Sequence, residues 1–422
     1  RNAIGSRNHQ AILRFRYVYP GYETSVPDYI LERDDYVETV GLSEGRETHF
    51  PDWTNQELRR FTLEFYTRFA ERYDEDSRLA FVQVGFGLWG EYHIYSGPFT
   101  LGETFPSKEF QMQFFRHLDT TFRHIPWSIS IDAADDTYSP FVENAALLEL
   151  PFGLFDDSFM HSNHAGYNTT CWNFFDRDRY LRSPAGGEFS YYSDYDQAHV
   201  LDYPDGPYGK PYEHFAREFH ITYMIGNDQP GYQTMERIKA ASMASGYKFK
   251  IVSLKTKPDS SLVEILNYGV APIYYDAFPA LDGIRSERSL RFHPPGDTIL
   301  YRIPVSADGK RLTIESDKLL KDQIIQYHGT NPLPETGIPV KEKPEGFTIY
   351  PNPAKKGFFH IRTIDHNTDW QCAIFSINGE LVHKKDYQES SARISADGFE
   401  QGIYLVRVSQ GKEVFTNQLI RF

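Results

Sequence analysis

The chain has 422 residues with 40% hydrophobic content, enough to bury more than one core, so we expect a globular protein of two or three domains. Its formal net charge of −14 argues against the basic surface that nucleic acid or an anionic membrane would require. No run of about 18 apolar residues is present, so no membrane span is predicted. Cys171 and Cys372 have neither disulfide nor metal-ligand spacing, and we expect two free thiols.

Apolar strand-like runs alternate with helix-period segments through the first part of the chain. The runs occupy residues 11–19, 79–86, 127–133, 151–160, 183–192, 220–225 and 247–254. Seven strands with crossover helices predict a parallel sheet, and we expect a (β/α)8-type, TIM-like barrel over residues 1–256 whose first strand is missing or diverged. An open doubly wound sheet is the alternative. The first helix-period segment, residues 55–73, follows a predicted N-cap at Thr54.

The pattern changes after Leu254 to short strands and turns without helices, which predicts a β-sandwich domain over residues 257–328. A segment rich in proline, glycine and charge, residues 329–346, is typical of an extended linker. Residues 347–422 then predict a second, Ig-like all-β module, with hairpin signals at Asn378-Gly379 and Gln410-Gly411.

Aromatic residues make up 16% of the chain and crowd into turn-rich segments as well as strands, so we expect many of them to be partly exposed. Most aromatic side chains fill cores. Exposed rings beside carboxylates, however, are surfaces on which the apolar faces of sugar rings stack. A carbohydrate is therefore the expected ligand, and no cofactor is predicted.

The stretch FVQVGFGLWGEYH, residues 81–93, places a carboxylate just past a buried strand. In a βα-barrel the C-terminal strand ends face the site, so the end of the strand would hold Glu91 in a fixed position beside the substrate. Trp89 offers a stacking face, and His93 is positioned to hydrogen-bond a hydroxyl or the acid itself. The structural alternative is that Glu91 caps a loop and Trp89 packs beneath it.

Glu188 follows Gly186-Gly187 on a strand three further along the series, which places it across the barrel mouth from Glu91. Opposed carboxylates are what glycosidic cleavage needs, one to protonate the leaving oxygen and one to attack or to activate water. We expect Glu91 to be the acid, because less polar surroundings raise a carboxyl pKa, and Glu188 to be the nucleophile or base.

Other polar side chains near strand ends complete the predicted site. Arg14 could clamp an acidic or sulfated sugar and Tyr17 could donate a hydrogen bond, although a core arginine paired with a strand-end acid is the alternative. Asn227 follows the sixth visible strand and offers a further substrate contact, with a loop turn as the alternative. The HSNH run at 161–164 is only a weak metal signal, so no metal is predicted.

Four segments of the last module carry a specific resemblance: YPNPAKKGFFHI, SINGELV, GFEQGIYLVRV and VFTNQLIRF. They resemble the C-terminal type A sorting domain of the type IX secretion system of Bacteroidetes, over residues 347–422. The resemblance implies recognition by the secretion machinery and passage through the periplasm to the cell surface or the medium, with removal of the module. A carbohydrate-binding sandwich is the alternative.

The segments ILRFRY, VQVGFGLWGEYH, PFGLFDDSFM, SPAGGEFS and EILNYGVAP resemble the bacterial family known as domain of unknown function 4832, with its upstream companion, over residues 11–305. Members look like glycoside-hydrolase-type barrels, which is the fold that the resemblance implies. This chain has Asp156-Asp157 where the family usually has Asn-Asp, and Phe189 where it usually has threonine. Adjacent strand residues face opposite ways, and the match to the family's aspartate selects Asp157 for the site.

These observations predict a secreted glycoside hydrolase that acts on a poly- or oligosaccharide through two carboxylates. One alternative is a non-catalytic surface glycan-binding protein on the same scaffold, whose glutamates would be too far apart or buried in ion pairs. A less favoured alternative is a polysaccharide lyase, which needs a tyrosine or histidine base and an arginine or metal to neutralise a uronate; Arg14 and Tyr17 are the residues that suggest it.

Overall fold

The computed structural model describes residues 2–162, 164–329, 347–350, 352, 354, 357–363, 369–376, 380–411 and 413–421. The chain divides into two compact units, Arg1–Pro334 and Glu335–Phe422. The predicted linker beyond Gly329 and the hairpin signal at Asn378-Gly379 lie outside the described residues. The finer division of the first unit at residue 256 stays a prediction. No helix of the described part is both long and apolar enough to cross a membrane.

Six parallel strands form one open sheet in the first unit. Numbered along the chain, the strands here are β1 Ala11–Arg14, β2 Thr39–Ser43, β3 Arg46–Phe50, β4 Leu79–Val84, β5 Trp127–Ser130, β6 Gly153–Phe159, β7 Ala185–Phe189 and β8 Ile221–Ile225. Strands β2 and β3 pair as a separate antiparallel hairpin, and the remaining six follow the order β1-β4-β5-β6-β7-β8. This order runs with the chain and does not reverse, so the sheet is a half-barrel and not a doubly wound sheet.

The expected closed eight-stranded barrel is wrong, because the sheet has six strands and does not close. The run that we expected as its last strand forms β9, Phe249–Thr256, which pairs antiparallel with β10, Ser261–Asn267. Burial alternates along the start of β9, whereas all four residues of β5 are buried. A strand with one polar face suits an antiparallel sheet, while a parallel barrel strand is covered on both faces.

Helices connect the parallel strands. Their bounds are α1 Asn2–Gly5, α2 Asp28–Leu31, α3 Gln56–Tyr73, α4 Lys108–Thr121, α5 Thr169–Phe174, α6 Asp194–His199, α7 Tyr212–Glu218 and α8 Met235–Ser242. The N-cap of α3 is Asn55, whose side chain accepts from the Leu58 amide, and not the predicted Thr54. The Thr54 hydroxyl instead donates to Asp52, which removes it from the capping position. Single 3₁₀ turns at Ile131–Ala134, Ala145–Glu149, Arg179–Leu181 and Gln229–Gly231 and a π turn at His164–Asn168 complete the connections.

The core between the sheet and helices α3 and α4 is dominated by aromatic side chains. Phe86, on the segment after β4, packs against Trp53 and Phe114 at centroid distances of 5.1 and 4.9 Å. Phe115 of α4 stacks on Trp127 of β5 with an interplanar angle of 8°. Each such ring stabilises the fold by roughly 1.5–3 kcal/mol on burial, so this interface fixes the outer face of the half-barrel.

A second core lies C-terminal to the half-barrel and is built by two small sheets. Their strands are β9 and β10, β11 Phe278–Leu281, β12 Ile284–Arg285, β13 Thr298–Ile303, β14 Leu312–Glu315 and β15 Tyr327–His328. The orders are β13-β10-β9-β15 and β12-β11-β14. The Tyr274 hydroxyl donates to the Tyr180 carbonyl at 2.6 Å, and the Gln10 amide donates to the Lys318 carbonyl at 2.8 Å. These bonds tie the second core to the half-barrel.

The second unit is antiparallel throughout its described strands. They are β16 Phe347–Tyr350, β17 Phe358–Thr363, β18 Trp370–Ser376, β19 Leu381–Tyr387, β20 Ser391–Ser395, β21 Gly402–Gln410 and β22 Glu413–Arg421. They form sheets of order β16-β17-β20 and β19-β18-β21-β22 around a core that includes Trp370 and Phe359. The hairpin predicted at Gln410-Gly411 is confirmed, since it joins β21 to β22 and Gly411 has a φ of 60°.

Removal of the second unit should leave the first unit folded, because the first unit has its own two cores. We expect a chain ending at Pro334 to melt cooperatively at the temperature of the corresponding transition in the full chain. Differential scanning calorimetry of both chains measures this. Loss of the cooperative transition in the shortened chain would contradict the division into two units.

Candidate functional site

A tightly wound loop after β4 positions Glu91. The Gly87 amide donates to the Glu91 carbonyl at 2.8 Å, and a Cβ on Gly87 would lie only 2.0 Å from the His93 carbonyl oxygen. Trp89 and Gly90 both have left-handed backbone angles, with φ of 56° and 79°. The glycines of this motif are therefore required by the turn itself, and the turn directs the Glu91 side chain back over the ends of the strands.

The glycine pair before Glu188 is required for a different reason. A Cβ on Gly186 would lie 2.3 Å from the ring of Tyr223, and a Cβ on Gly187 would lie 2.2 Å from the Asp156 carbonyl oxygen. The two glycines thus make room for the Tyr223 ring on β8 and allow close approach of β6. Glu188 is the next residue of β7 and lies at the C-terminal end of that strand.

One arginine joins the two glutamates. Arg14, the last residue of β1, donates from Nη1 to Glu91 Oε1 at 3.0 Å and from Nη2 to Glu188 Oε1 at 2.8 Å. Its Nε donates to Gln83 Oε1 at 2.9 Å, and the guanidinium lies 4.6 Å from the centre of the Phe155 ring. Two oxygens bound to the terminal nitrogens of one guanidinium lie no more than roughly 8 Å apart, so the two carboxyl groups lie close together near the C-terminal ends of the strands, at a place that we call the cleft.

A histidine continues this network on the side of Glu91. His93 Nδ1 donates to Asp132 Oδ2 at 2.5 Å and lies 3.9 Å from Asp157 Oδ2. His93 Nε2 lies 3.6 Å from Glu91 Oε2, is itself buried, and has no hydrogen-bond partner among the residues that the structure describes. Four carboxyl groups, those of Glu91, Asp132, Asp157 and Glu188, therefore surround one guanidinium and one imidazole.

Burial and this excess of acid shift the titration of the cluster. Burial, followed by the charge of Asp157, raises the pKa of Glu91 well above its usual range, against the opposing charge of Arg14. Burial raises the pKa of Asp157 to about 8, and the charge of Asp132 adds to this shift. Burial alone would lower the pKa of His93, but the hydrogen bond to Asp132 raises it above the usual value.

Three residues of the cluster could also hold a cation. Ligand atoms of Glu91, His93 and Asp157 lie within 4.8 Å of one another, and one imidazole with two carboxylates suits Zn²⁺ or Mn²⁺. The weak metal signal at 161–164 is separate from this group, since His161 Nδ1 bonds to Asp196 Oδ2 at 2.8 Å and Asn163 lies outside the described residues. The sequence-based expectation that no metal is bound stays a prediction.

The remaining predicted residues divide between the cleft and the core. Trp89 is half-buried, and its ring lies 6.0 Å from that of Tyr95, which is 59% exposed. Tyr17 is not in the cleft: it is buried, its hydroxyl lies 2.7 Å from the Thr62 hydroxyl, and its ring packs edge-on against Trp53. Strand β1 ends at Arg14, so strand alternation no longer sets the direction of Tyr17.

The last of the predicted site residues are Asn227 and one of the two adjacent aspartates of β6. Asn227 is exposed just past β8 and accepts a hydrogen bond from the Tyr191 hydroxyl. Asp156 accepts from Trp172 Nε1 at 3.0 Å and from Asn168 at 2.8 Å, away from the cluster that contains Asp157. The two aspartates therefore contact different groups, as strand alternation predicts.

Asp132, Gln83 and Tyr95 belong to the site but were not selected from the sequence. Asp132 carried the same signal as Glu91, since it lies just past a buried strand in WSISIDA. Gln83 was visible as the one polar residue inside the apolar run LAFVQV. Tyr95 carried no signal that separates it from the other tyrosines of the chain.

Comparison with protein families identifies the C-terminal part. Residues 348–421 match the family model described as a secretion system C-terminal sorting domain. The domain indicates export to the cell surface or secretion in Bacteroidetes and interaction with the type IX secretion machinery. No curated protein matches the chain. The resemblance of residues 11–305 to domain of unknown function 4832 stays a prediction.

Similar solved structures resemble the chain only distantly. An immunoglobulin-like β-sandwich protein from Bacteroides vulgatus is 15% identical, with a TM-score of 0.17 over 18% of this chain and 84% of that one. A β-glucuronidase from Parabacteroides merdae is 11% identical, with a TM-score of 0.24 over 87% of this chain and 52% of its own length. An endo-β-1,4-mannanase from Cellulomonas fimi is 11% identical, with a TM-score of 0.26 over 86% of this chain and 69% of that one.

The raised pKa of Asp157 predicts a pH-dependent stability. Its carboxyl titrates at about 8 when folded, against 3.8 ordinarily, so between these values the folded chain binds more protons than the unfolded chain and stability falls as pH rises. In Asp157→Asn this contribution is absent, so the fall in melting temperature between about pH 5 and 8 should be smaller. The exposed Asp34→Asn variant should behave as wild type. A steeper fall in Asp157→Asn would contradict the assignment.

Proposed function

We propose that the chain is a secreted glycoside hydrolase in which Glu91 is the general acid and Glu188 the nucleophile or base. The observation that supports this most directly is the bridge that Arg14 forms between the two carboxyl groups. Carboxyl separations of about 5–5.5 Å accompany retention and about 6.5–9.5 Å accompany inversion. The limit of roughly 8 Å that one guanidinium imposes is compatible with both outcomes.

The environment of Glu91 supports its role as the acid. Burial raises its pKa well above the usual range and favours the protonated carboxyl, which has a proton to give to the leaving glycosidic oxygen. The carboxylate that remains after transfer accepts a hydrogen bond from Arg14 Nη1, which stabilises its charge. His93 Nε2, 3.6 Å from the other carboxyl oxygen, is close enough to take part when the proton returns.

The contacts of Glu188 support its role as the nucleophile or base. Arg14 Nη2 binds its Oε1, while its Oε2 accepts no hydrogen bond from the described residues. That oxygen is available to attack an anomeric carbon or to take a proton from a water. Around the pair, Trp89 and Tyr95 offer ring faces to a sugar, and Asn227 and Tyr191 offer polar groups near the end of β8.

A second candidate function is non-catalytic glycan binding. Glu91 is only 6% exposed, and both glutamates are ion-paired with Arg14. In that case the carboxylates maintain the shape of the cleft, and the surrounding aromatic rings bind the glycan. The lyase alternative with Tyr17 as the base has less support, because the Tyr17 hydroxyl is bonded to Thr62 inside the core.

Replacement of either glutamate by glutamine separates these functions. Glu91→Gln and Glu188→Gln keep shape and hydrogen bonds but cannot carry the proton or the charge, so we expect hydrolysis to fall by about 10²–10⁴-fold while glycan affinity is nearly unchanged. Release of reducing ends from a polysaccharide panel measures the first, and affinity electrophoresis measures the second.

The control for this experiment is Glu75→Gln, since Glu75 is exposed and outside the cleft. Full activity in either active-site variant would reject the assigned pair. Binding without hydrolysis by the wild-type chain across the panel would favour the glycan-binding candidate instead.

The indole of Trp89 should contribute to glycan affinity. Trp89→Gly suits the left-handed backbone at φ 56° and removes the ring, so we expect affinity to weaken by roughly 1–3 kcal/mol without loss of folding. Isothermal titration with a bound oligosaccharide and thermal melting of the same sample check this. A large fall in melting temperature with unchanged affinity would assign the indole to the core.

A further inference from the structure

The charge of the cleft restricts the kind of sugar that it can take. Arg14 is the guanidinium that we expected to clamp an acidic or sulfated sugar, but each of its three nitrogens already donates to a protein oxygen, on Gln83, Glu91 and Glu188. Its face lies against Phe155. A uronate or sulfate is best recognised by paired N–H groups of a guanidinium, and both terminal nitrogens of Arg14 are already directed at protein carboxyls.

The surroundings of the carboxyl pair also disfavour an acidic sugar. Asp132 and Asp157 lie beside the glutamate pair, and His93, the second cation of the cluster, already bonds to Asp132. An anionic sugar ring would bring a negative charge into a partly buried site whose two cations, Arg14 and His93, are already paired with protein carboxyls, so that charge would be desolvated without a partner. An uncharged sugar has no such cost, and its hydroxyls can donate to carboxyl oxygens.

Aromatic side chains lie close in the chain to each glutamate of the carboxyl pair. The first group, Trp89 and Tyr95, belongs to the loop after β4. The second group, Tyr191 and Tyr192, comes directly after β7; Tyr192 is 80% exposed and its ring lies 4.6 Å from that of His161.

Strands β5 and β6 lie between β4 and β7 in the sheet order, so the two groups follow different strands, one beside Glu91 and the other beside Glu188. A chain of several linked rings can contact both groups while one of its bonds lies at the carboxyl pair.

We propose that the cleft takes an uncharged glycan chain that runs from Trp89 and Tyr95 past the carboxyl pair to Tyr191 and Tyr192. This proposal deepens the proposed function. Only the position of the cleaved bond rests on that function; binding of the glycan chain does not. Arg14 then acts inside the protein, on the two glutamates, and makes no contact with an acidic group of the substrate. A chain held on both sides of the cleavage point is cut internally.

The test uses the full chain as Glu91→Gln, which stops turnover yet keeps the neutral state that the buried Glu91 carboxyl favours. Soluble neutral glucans, mannans and xylans, and the C6-oxidised, uronate-bearing form of each hexose polymer, are compared by affinity electrophoresis. We expect at least one neutral polymer to bind, and its oxidised form to bind about tenfold or more weakly. Equal or tighter binding of the oxidised polymer, or binding of no neutral polymer, would overturn the proposal.

Single tyrosine replacements in the same background test the two-sided contact. Tyr95→Ala and Tyr192→Ala should each weaken binding of the neutral polymer by about tenfold and binding of its disaccharide by less than about twofold. Tyr268→Ala, an exposed tyrosine of the second core, is the matched control and should change neither affinity.

Unchanged polymer affinity in Tyr95→Ala and Tyr192→Ala would overturn the two-sided contact. Binding of a neutral polymer by the wild-type chain without release of reducing ends would contradict the proposed hydrolysis. That result would leave the substrate class supported, so the two failures are distinguishable.

Discussion

The candidate site depends on one buried cation. Arg14 ends β1 at one edge of the sheet and yet contacts Glu188 on β7, which is four strands away in the sheet order. In a flat sheet these strands would be about 19 Å apart, far beyond the reach of one side chain. The contact is possible only because the sheet curves into a half-barrel. The site therefore depends on the curvature of the sheet.

The same contact helps to explain why the carboxyl groups of the cluster ionise differently. A guanidinium between two carboxyls satisfies one oxygen of each, but the cluster still contains more acids than cations. Burial makes the ionised forms of the remaining acids costly, so Glu91 and Asp157 favour the protonated form. Removal of Arg14 would leave this acidity uncompensated, which is why a buried pair is costly to break even when its net contribution to stability is small.

The sequence predicted local features well and long-range ones poorly. Apolar runs predicted the six parallel strands, and the positions of Glu91 and Glu188 past strand ends placed both residues at the same edge of the sheet. Closure of the barrel was wrong because β9 was counted as a barrel strand, although lysines already alternate with apolar residues in YKFKI, at the start of that run. The alternative for Arg14, a core arginine paired with a strand-end acid, matches its ion pair with Glu91, but the sequence did not indicate that the same guanidinium also binds Glu188. Tyr17 lies in the core, and strand alternation alone places residues three apart on opposite faces, so Arg14 and Tyr17 would not both point into the site.

The most direct measurement is the pKa of the Glu91 carboxyl, followed by ¹³C NMR of labelled glutamate side chains and assigned by the signal lost in Glu91→Gln. We expect a pKa well above the usual range in the wild-type chain, because burial dominates. We also expect a lower Glu91 pKa in Glu188→Gln, because that isosteric change removes a nearby negative charge. A Glu91 carboxyl that titrates near 4.5, or one whose pKa is unaffected by Glu188→Gln, would contradict a single cleft that contains both groups.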